Sequence, residues 1–276
     1  MTISNVEQHT VKGFGQEWSA FNQPESKREE LGTIFEEYFD IFPWSKIGRS
    51  AVGMDVGCGS GRWAREVAPR VGALHCIDAS EDALEVARTN LSGVSNCYFI
   101  HSSVSEMPIE DNSLDFGYSL GVLHHVPDTL EGIKACSRKL KSGAPFLLYL
   151  YYSFDNRPTW FRLVWRVSDR FRKIICRLPF PIRKLVCDVL AFTVYYPLAR
   201  TAKIAESLGG NVSAFPLSAY RDRTIYAMRT DSLDRFGTRL EQRFSAKEIK
   251  EMMEKAGFKD ISFSKIVFWC AVGYKS

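Results

Sequence analysis

From residue 51 to residue 152 the chain alternates short apolar runs with amphipathic runs at helical spacing. The apolar runs cover 51–56, 73–77, 97–101, 114–119 and 145–152, and the helical runs cover 61–70, 81–91 and 129–140. Apolar runs of about four to eight residues between longer helical runs are the pattern of parallel strands buried on both faces. An open, doubly wound α/β sheet is therefore expected.

The rhythm resumes near 241. A helix is predicted over 246–256, opened by Ser245 with Glu248 three residues on and closed by Gly257. Two strand-like runs follow, 259–264 and 267–273. Too few residues separate them for a helical crossover, so they should be antiparallel neighbours. The sum is a mostly parallel seven-stranded sheet with an antiparallel last strand. Residues 1–50 form an N-terminal arm, aromatic-rich from residue 13, with one helix predicted over about 27–39. Residues 153–240 break the rhythm and stand as an insertion after the fifth strand.

Composition narrows the partners. Of 276 residues, 45% are hydrophobic and 25% charged, the balance of an ordinary globular protein with disorder expected only at the extreme ends. A formal charge of +4 is too small to imply nucleic-acid binding. Residues 1–10 show neither a basic start nor an apolar core, so no signal peptide is expected. The apolar stretches 144–152 and 189–199 fall short of the ~20 residues a membrane span needs. The seven cysteines form no CxxC pair, so reduced thiols in a cytoplasmic chain, without a metal site, are expected.

The central chemical signal is Asp55-Val56-Gly57-Cys58-Gly59-Ser60-Gly61, at the end of the first predicted strand. Glycines let the chain turn tightly and let a ligand lie against bare backbone, and the following helix turns its N–H groups that way. The spacing is GxGxG with a carboxylate two positions ahead. A pyrophosphate wants a longer loop and no carboxylate beside it, whereas a cationic amino-acid ligand welcomes Asp55. Asp78 ends the second strand, where a carboxylate accepts hydrogen bonds from ribose hydroxyls in nucleoside-binding sheets. A mere cap on the next helix is the plainer reading of Asp78.

Three segments together resemble successive motifs of the class I S-adenosylmethionine-dependent methyltransferases. They are Val52-Gly53-Met54-Asp55-Val56-Gly57-Cys58-Gly59-Ser60-Gly61, Asp78-Ala79-Ser80, and Gly121-Val122-Leu123-His124-His125-Val126-Pro127-Asp128. The nearest flavour is the small-molecule branch of quinone-biosynthesis and sugar methyltransferases. The resemblance covers roughly 50–150 and 243–275, and it implies a Rossmann-like fold with S-adenosylmethionine as cofactor. The backbone from Gly57 through Cys58 to Gly59 would face the methionine part. Asp78 would hold the ribose diol, with Ala79 beside the adenine. Ser103, followed by Val104, stands where an acidic residue often meets the adenine amino group; a hydroxyl accepts that bond more weakly. Leu120 and Gly121 would line the sulfonium end.

A sulfonium methyl is already activated, so alignment matters most, and a base is needed only if the acceptor must lose a proton. His124 and His125 follow the fourth strand, at the edge where open sheets bind ligands. Either could be that base, with His125 favoured by the resemblance, or either could simply pack. Polar partners for an acceptor are Tyr152, Asp155, Tyr220, Arg221, Asp222, Arg223 and Tyr226 around the insertion, with Tyr152, Tyr220, Arg221, Asp222 and Tyr226 the acceptor-site candidates. Phe14-Gly15-Gln16-Glu17-Trp18 is too aromatic for a free tail and is expected to cover the cofactor mouth, or else to pack on the domain flank.

The insertion offers a helix start at Asp155-Asn156-Arg157-Pro158. Beyond it Trp160, Val164, Val167, Phe171, Ile174 and Leu178 form one apolar stripe, with Arg162, Arg166, Arg170, Lys173 and Arg177 on another flank. Three readings stay open: a helical lid packed on the domain by that stripe, a site for an acidic acceptor, or a membrane-surface helix reaching a lipid-linked acceptor. The aromatics are not interleaved with the arginines, which argues against nucleic acid. The function expected is methyl transfer to a small molecule by a monomer or homodimer. A nicotinamide dehydrogenase and a catalytically silent binder of the cofactor are the alternatives.

Overall fold

The computed structural model describes residues 5–21, 28–154, 157–265 and 269–276. The chain divides into two units, Met1–Ser153 with Leu240–Ser276, and Phe154–Arg239.

The first unit is built on seven strands: β1 (Val52–Val56), β2 (Ala73–Asp78), β3 (Cys97–His101), β4 (Phe116–Leu120), β5 (Pro145–Tyr149), β6 (Phe258–Phe263) and β7 (Cys270–Lys275). Their order is β3-β2-β1-β4-β5-β7-β6. The first five run parallel; β7 is antiparallel to β5 and to β6. The predicted architecture is thus the observed one. Every residue of β4 and β5 is buried, as expected of strands covered on both faces.

Helices of this unit are α1 (Gln8–Ala20), α2 (Arg28–Phe39), α3 (Arg62–Val67), α4 (Glu81–Asn90), α5 (Thr129–Lys139) and α10 (Ala246–Lys255), the numbers between belonging to the other unit. Each of α4, α5 and α10 starts where its side-chain cap stands: Ser80 accepts from the Ala83 N–H, Asp128 from Glu131 and Ser245 from Glu248. Among the described residues the arm holds two α-helices where one was expected. Glu7 opens α1 by accepting from the His9 and Thr10 N–H groups. Lys27, the predicted start of the other arm helix, and Val267, the predicted start of the last strand, lie outside the described residues.

Edges differ from the pattern by a few residues. Leu114 makes only an isolated bridge to Leu140, and the ordered strand starts at Phe116. The fifth strand ends at Tyr149, because Tyr152 leaves it to bridge Phe244.

The second unit is helical: α6 (Thr159–Ile175), α7 (Phe180–Leu190), α8 (Tyr196–Ser207) and α9 (Ile225–Gly237). Its Asp155–Asn156 start lies outside the described residues. α6 and α7 both pack on α9. Arg172 reaches the Thr238 carbonyl at 2.8 Å, Ser232 donates to the Cys187 carbonyl at 2.9 Å, and Asp188 takes both Lys184 and Arg229. α7 and α8 are joined by a π-helical turn, Ala191–Tyr195. Pro197 has no N–H to give, and the widened turn just upstream accommodates that loss: the Tyr196 N–H bonds the Ala191 carbonyl, five residues back.

One expectation is corrected here. The apolar stripe Trp160, Val164, Val167, Phe171 and Ile174 does not pack inward; all five are 46–63% exposed. The inner side of α6 is instead its Phe161, Trp165, Asp169 and Arg172 side, held by the Arg172 bonds to Asp169 and Thr238.

Replacing Ser245 by Ala removes both halves of the capping box, since Glu248 also accepts from the Ser245 N–H and hydroxyl. The first unit should lose about 1 kcal/mol in urea unfolding, and Ser245→Thr should recover most of it.

Candidate functional site

The site is built at the carboxyl ends of β1, β2 and β4. Asp55 stands opposite Cys76 of β2 and Tyr118 of β4, so it lies inside the sheet rather than at its rim. It is fully buried, and its Oδ2 has no hydrogen-bond partner among the described residues. Burial pushes its carboxyl up to about 8; the neighbouring Tyr118 phenol opposes that rise and Asp78 adds to it.

The loop after β1 turns through positive φ at Gly57, Gly59 and Gly61. None of the three has free room for a side chain; on Gly61 a Cβ would lie 2.8 Å from Leu91. A Cβ on Gly57 would lie 2.4 Å from Val122, and one on Gly59 would lie 2.8 Å from the Trp18 indole nitrogen. The Gly57 and Cys58 N–H groups both donate to the Ile77 carbonyl, and the Gly59 N–H donates to Asp78 at 2.9 Å. The other Asp78 oxygen accepts from the Ser80 N–H at 2.9 Å. Asp78 thus locks the loop to the end of β2, and each of its oxygens keeps a further lone pair for a hydroxyl. Burial raises its pKa, while the Ser80 and Gly59 N–H groups hold it back.

The remaining sequence candidates fall around this edge. Cys58 is buried beneath the loop. The Ala79 carbonyl accepts from His101 Nε2 at 3.0 Å. Ser103 donates to Glu106 at 3.3 Å, and Val104 is buried behind it. Leu120 is buried, and Gly121 turns with φ of 78° as its N–H bonds the Tyr149 carbonyl.

The two histidines occupy different surroundings. His124 is sealed from solvent, stacked on Tyr151 at 3.9 Å, and neither ring nitrogen has a partner among the described residues. Burial holds its pKa well below the usual value, with His125 and Arg243 adding to the effect, so it is neutral. His125 is nearly buried and its Nδ1 lies 2.6 Å from the Leu240 carbonyl. A carbonyl can only accept, so Nδ1 carries the proton and Nε2 is the basic nitrogen. The Phe14 ring rests 4.9 Å from His125.

The sequence reading missed what fixes this pair. The stretch from Leu240 to Phe244 is tied to the β4 loop by Gln242, whose N–H bonds the His124 carbonyl and whose side chain bonds the Val126 carbonyl. Arg243 lies over the Tyr151 ring and pairs with Glu241 at 2.8 Å. Most of these contacts run through main-chain atoms, which no motif reports. α1 was missed too: Gly15 packs against Ser80 and Asp82, and Trp18 stacks on the Arg62 guanidinium beside Gly59.

Acceptor candidates divide between the units. Tyr152 is half-buried in the first, 5.7 Å from the Trp269 ring. Tyr220, Arg221, Asp222 and Tyr226 belong to the second. There Arg221 pairs with Glu206, Asp222 with Lys203, and the Tyr220 hydroxyl accepts from Arg235.

The fold and this loop define a class, and comparison with known proteins agrees. Residues 54–148 match the family model described as a methyltransferase domain. Residues 54–148 thus carry a methyltransferase domain, and S-adenosylmethionine is the cofactor of such domains. More particularly, it is 32% identical over 130 residues to a demethylmenaquinone methyltransferase of Staphylococcus haemolyticus, a match covering 46% of this chain and 52% of that one. A Staphylococcus aureus demethylmenaquinone methyltransferase is 37% identical over 94 residues, covering 33% and 39%. The chain thus spans about half the length, or less, of these relatives. Among solved structures, an S-adenosylmethionine-dependent methyltransferase of Methanosarcina mazei superposes with a TM-score of 0.51 at 18% identity, covering 84% of this chain and 95% of that one. A chain from the complex of the Haloferax volcanii Trm112 methyltransferase activator with a methyltransferase gives 0.55 at 13%, covering 94% and 96%. At such identities these two show the fold.

The Asp55 carboxyl gives a pH signature. Folded, it keeps its proton up to about pH 8; unfolded, it releases it near the ordinary aspartate value of ~4. Between these limits the folded chain binds more protons, so its stability should fall as pH rises, by at most about 1.4 kcal/mol per pH unit from this group. Urea midpoints measured from pH 5 to pH 7.5 should slope downward, and Asp55→Asn should flatten the slope. Equal slopes in the two proteins would mean Asp55 is ionised throughout.

Proposed function

We propose that the chain transfers the methyl group of S-adenosylmethionine to a small, quinone-like acceptor. The observation that carries this reading is Asp55, a buried carboxyl with an oxygen unmet among the described residues, beneath a bare-backbone loop that Asp78 anchors. A carboxyl that burial keeps protonated regains its charge beside a cation, so with Asp78 it suits a ligand that is positively charged and carries a diol. The demethylmenaquinone methyltransferases among its relatives suggest the acceptor class.

Asp55 and the Gly57–Gly59 backbone would hold the methionine end, Asp78 the ribose, and Ala79, Ser103 and Val104 the adenine; Leu120 and Gly121 would border the sulfonium. The cofactor supplies an activated methyl, open to in-line displacement. The chain's part is to align an acceptor, exclude water and take a proton where the acceptor has one to lose. His125 fills the last role at Nε2, the nitrogen left basic by the Leu240 bond. His124, neutral and sealed, supports it by packing. Phe14 and Trp18 of α1 would cover the cofactor mouth. Tyr152 would meet the acceptor on the first unit; Tyr220, Arg221, Asp222 and Tyr226 are proposed contacts on the second. The reading includes a cytoplasmic monomer or homodimer.

Calorimetry with S-adenosylmethionine should show binding that Asp78→Ala weakens by about 1–3 kcal/mol, the scale of lost charge-assisted hydrogen bonds. With a demethylated quinone as acceptor, His125→Ala should cut turnover at least ten-fold and leave cofactor affinity within about two-fold. Stabilisation by NAD, with none by S-adenosylmethionine, would replace this reading with a dehydrogenase; cofactor binding without transfer to any acceptor would leave a silent binder.

A further inference from the structure

The second unit leaves uncovered the face that its sequence most clearly marks for contact. On α6, Trp160, Leu163, Val164, Val167, Phe171 and Ile174 recur at helical spacing and are all 46–63% exposed. This is not a frayed inner face, because α6 already packs its opposite side through Arg172 and Asp169. α7 carries a second such row: Ile182, Leu185 and Val189, extended by Phe192 in the π-helical turn, are 50–63% exposed. Apolar patches of this kind on a folded chain mark contact surfaces.

What borders the stripe identifies the partner. Arg162, Arg166, Arg170, Lys173 and Arg177 follow one another at spacings of three and four along its edge, all exposed. Arg166, Arg170 and Arg177 have no carboxylate within ion-pair distance among the described residues. The bias extends to the whole unit. Residues 154–239 hold 16 Lys and Arg against 7 Asp and Glu, a net of +9, while the rest of the chain holds 20 against 25, a net of −5. All of the cationic excess is gathered on the unit that exposes the apolar rows.

We propose that this face of α6, with the α7 row, docks on an anionic lipid surface, the apolar side chains entering the headgroup boundary and the arginines meeting lipid phosphates. An interfacial helix needs an apolar stripe, a basic flank, and an aromatic side chain such as Trp160 that tolerates both environments. A second copy of the chain fits less well, because a two-fold contact would bring two like-charged rows together. The helix lies on the surface rather than through it: no helix among the described residues is long and apolar enough to cross a membrane.

The test uses the full chain without cofactor or acceptor, so it stands or falls apart from the proposed reaction. The protein is sedimented with vesicles of phosphatidylcholine alone, or of phosphatidylcholine and phosphatidylglycerol in equal parts. Wild type should pellet with the anionic vesicles and stay largely in solution with the neutral ones. Leu163→Gln/Phe171→Gln/Leu185→Gln and Arg166→Gln/Arg170→Gln/Arg177→Gln should each lower anionic-vesicle partitioning at least about ten-fold. All six positions are exposed, so circular dichroism and melting should not change. Brominated lipid should quench Trp160, and Trp160→Phe should remove that quenching. No pelleting of wild type, or equal pelleting with neutral and anionic vesicles, overturns the proposal. So does a vesicle-free dimer that the apolar triple variant converts to monomer, for then the face joins two copies.

Discussion

Two hydrogen bonds from main-chain N–H groups to one side chain hold the working edge of the sheet. Asp78 takes Gly59 on one oxygen and Ser80 on the other. The first bond sets the glycine loop against β2, and the second sets the start of α4, whose cap is Ser80 itself. With the loop pinned, Gly57 and Gly59 turn through positive φ, and Val122 and Trp18 close on the space where side chains would stand. Asp55 then lies beneath, with one oxygen unmet among the described residues. The Asp78 charge adds to the rise that burial imposes on the Asp55 pKa. Such a pair costs stability in the absence of a cation and regains it when one arrives.

The same economy separates His124 from His125. They are neighbours in sequence and their rings lie 3.9 Å apart, yet one is neutral with no hydrogen-bond partner among the described residues while the other has its tautomer set by a carbonyl. The difference comes from the 240–244 stretch, whose main chain reaches over the β4 loop. The returning chain therefore does for His125 what Asp78 does for the loop.

Much of this was legible beforehand, for identifiable reasons. The alternation of apolar runs and helices located all seven strands, and the short link between the last two told their direction. That Asp55, Gly57, Gly59 and Asp78 gather at one loop could be read because glycine spacing and strand ends carry position. α1 was harder: Gly13 and Gly15 weaken its helical signal, at about 1 kcal/mol each. Gly15 is needed there because a Cβ would lie 2.6 Å from the Ser80 hydroxyl. Leu240 and Gln242 were invisible for another reason, since they act largely through a carbonyl and an N–H that every residue owns. Boundaries slipped where a lone bridge, such as Leu114 with Leu140, extends a strand's apolar character but not its ladder.

The apolar stripe of α6 shows the limit of periodicity most clearly. A repeat of three and four residues says that apolar side chains share a face; it does not say what covers that face. On α6 the inward side is marked by a weaker signal, Phe161 and Trp165 with the Asp169–Arg172 pair, and that pair could equally have been read as surface charge. Arg172 decides the matter because its guanidinium satisfies the Thr238 carbonyl inside the helical unit, a bond with no sequence signature. Once Arg172 turns inward, helical geometry sends Trp160, Val164, Val167 and Phe171 outward and leaves Arg162, Arg166 and Arg170 along their border. The exposure of that stripe is thus a consequence of how the unit satisfies its own buried polar groups.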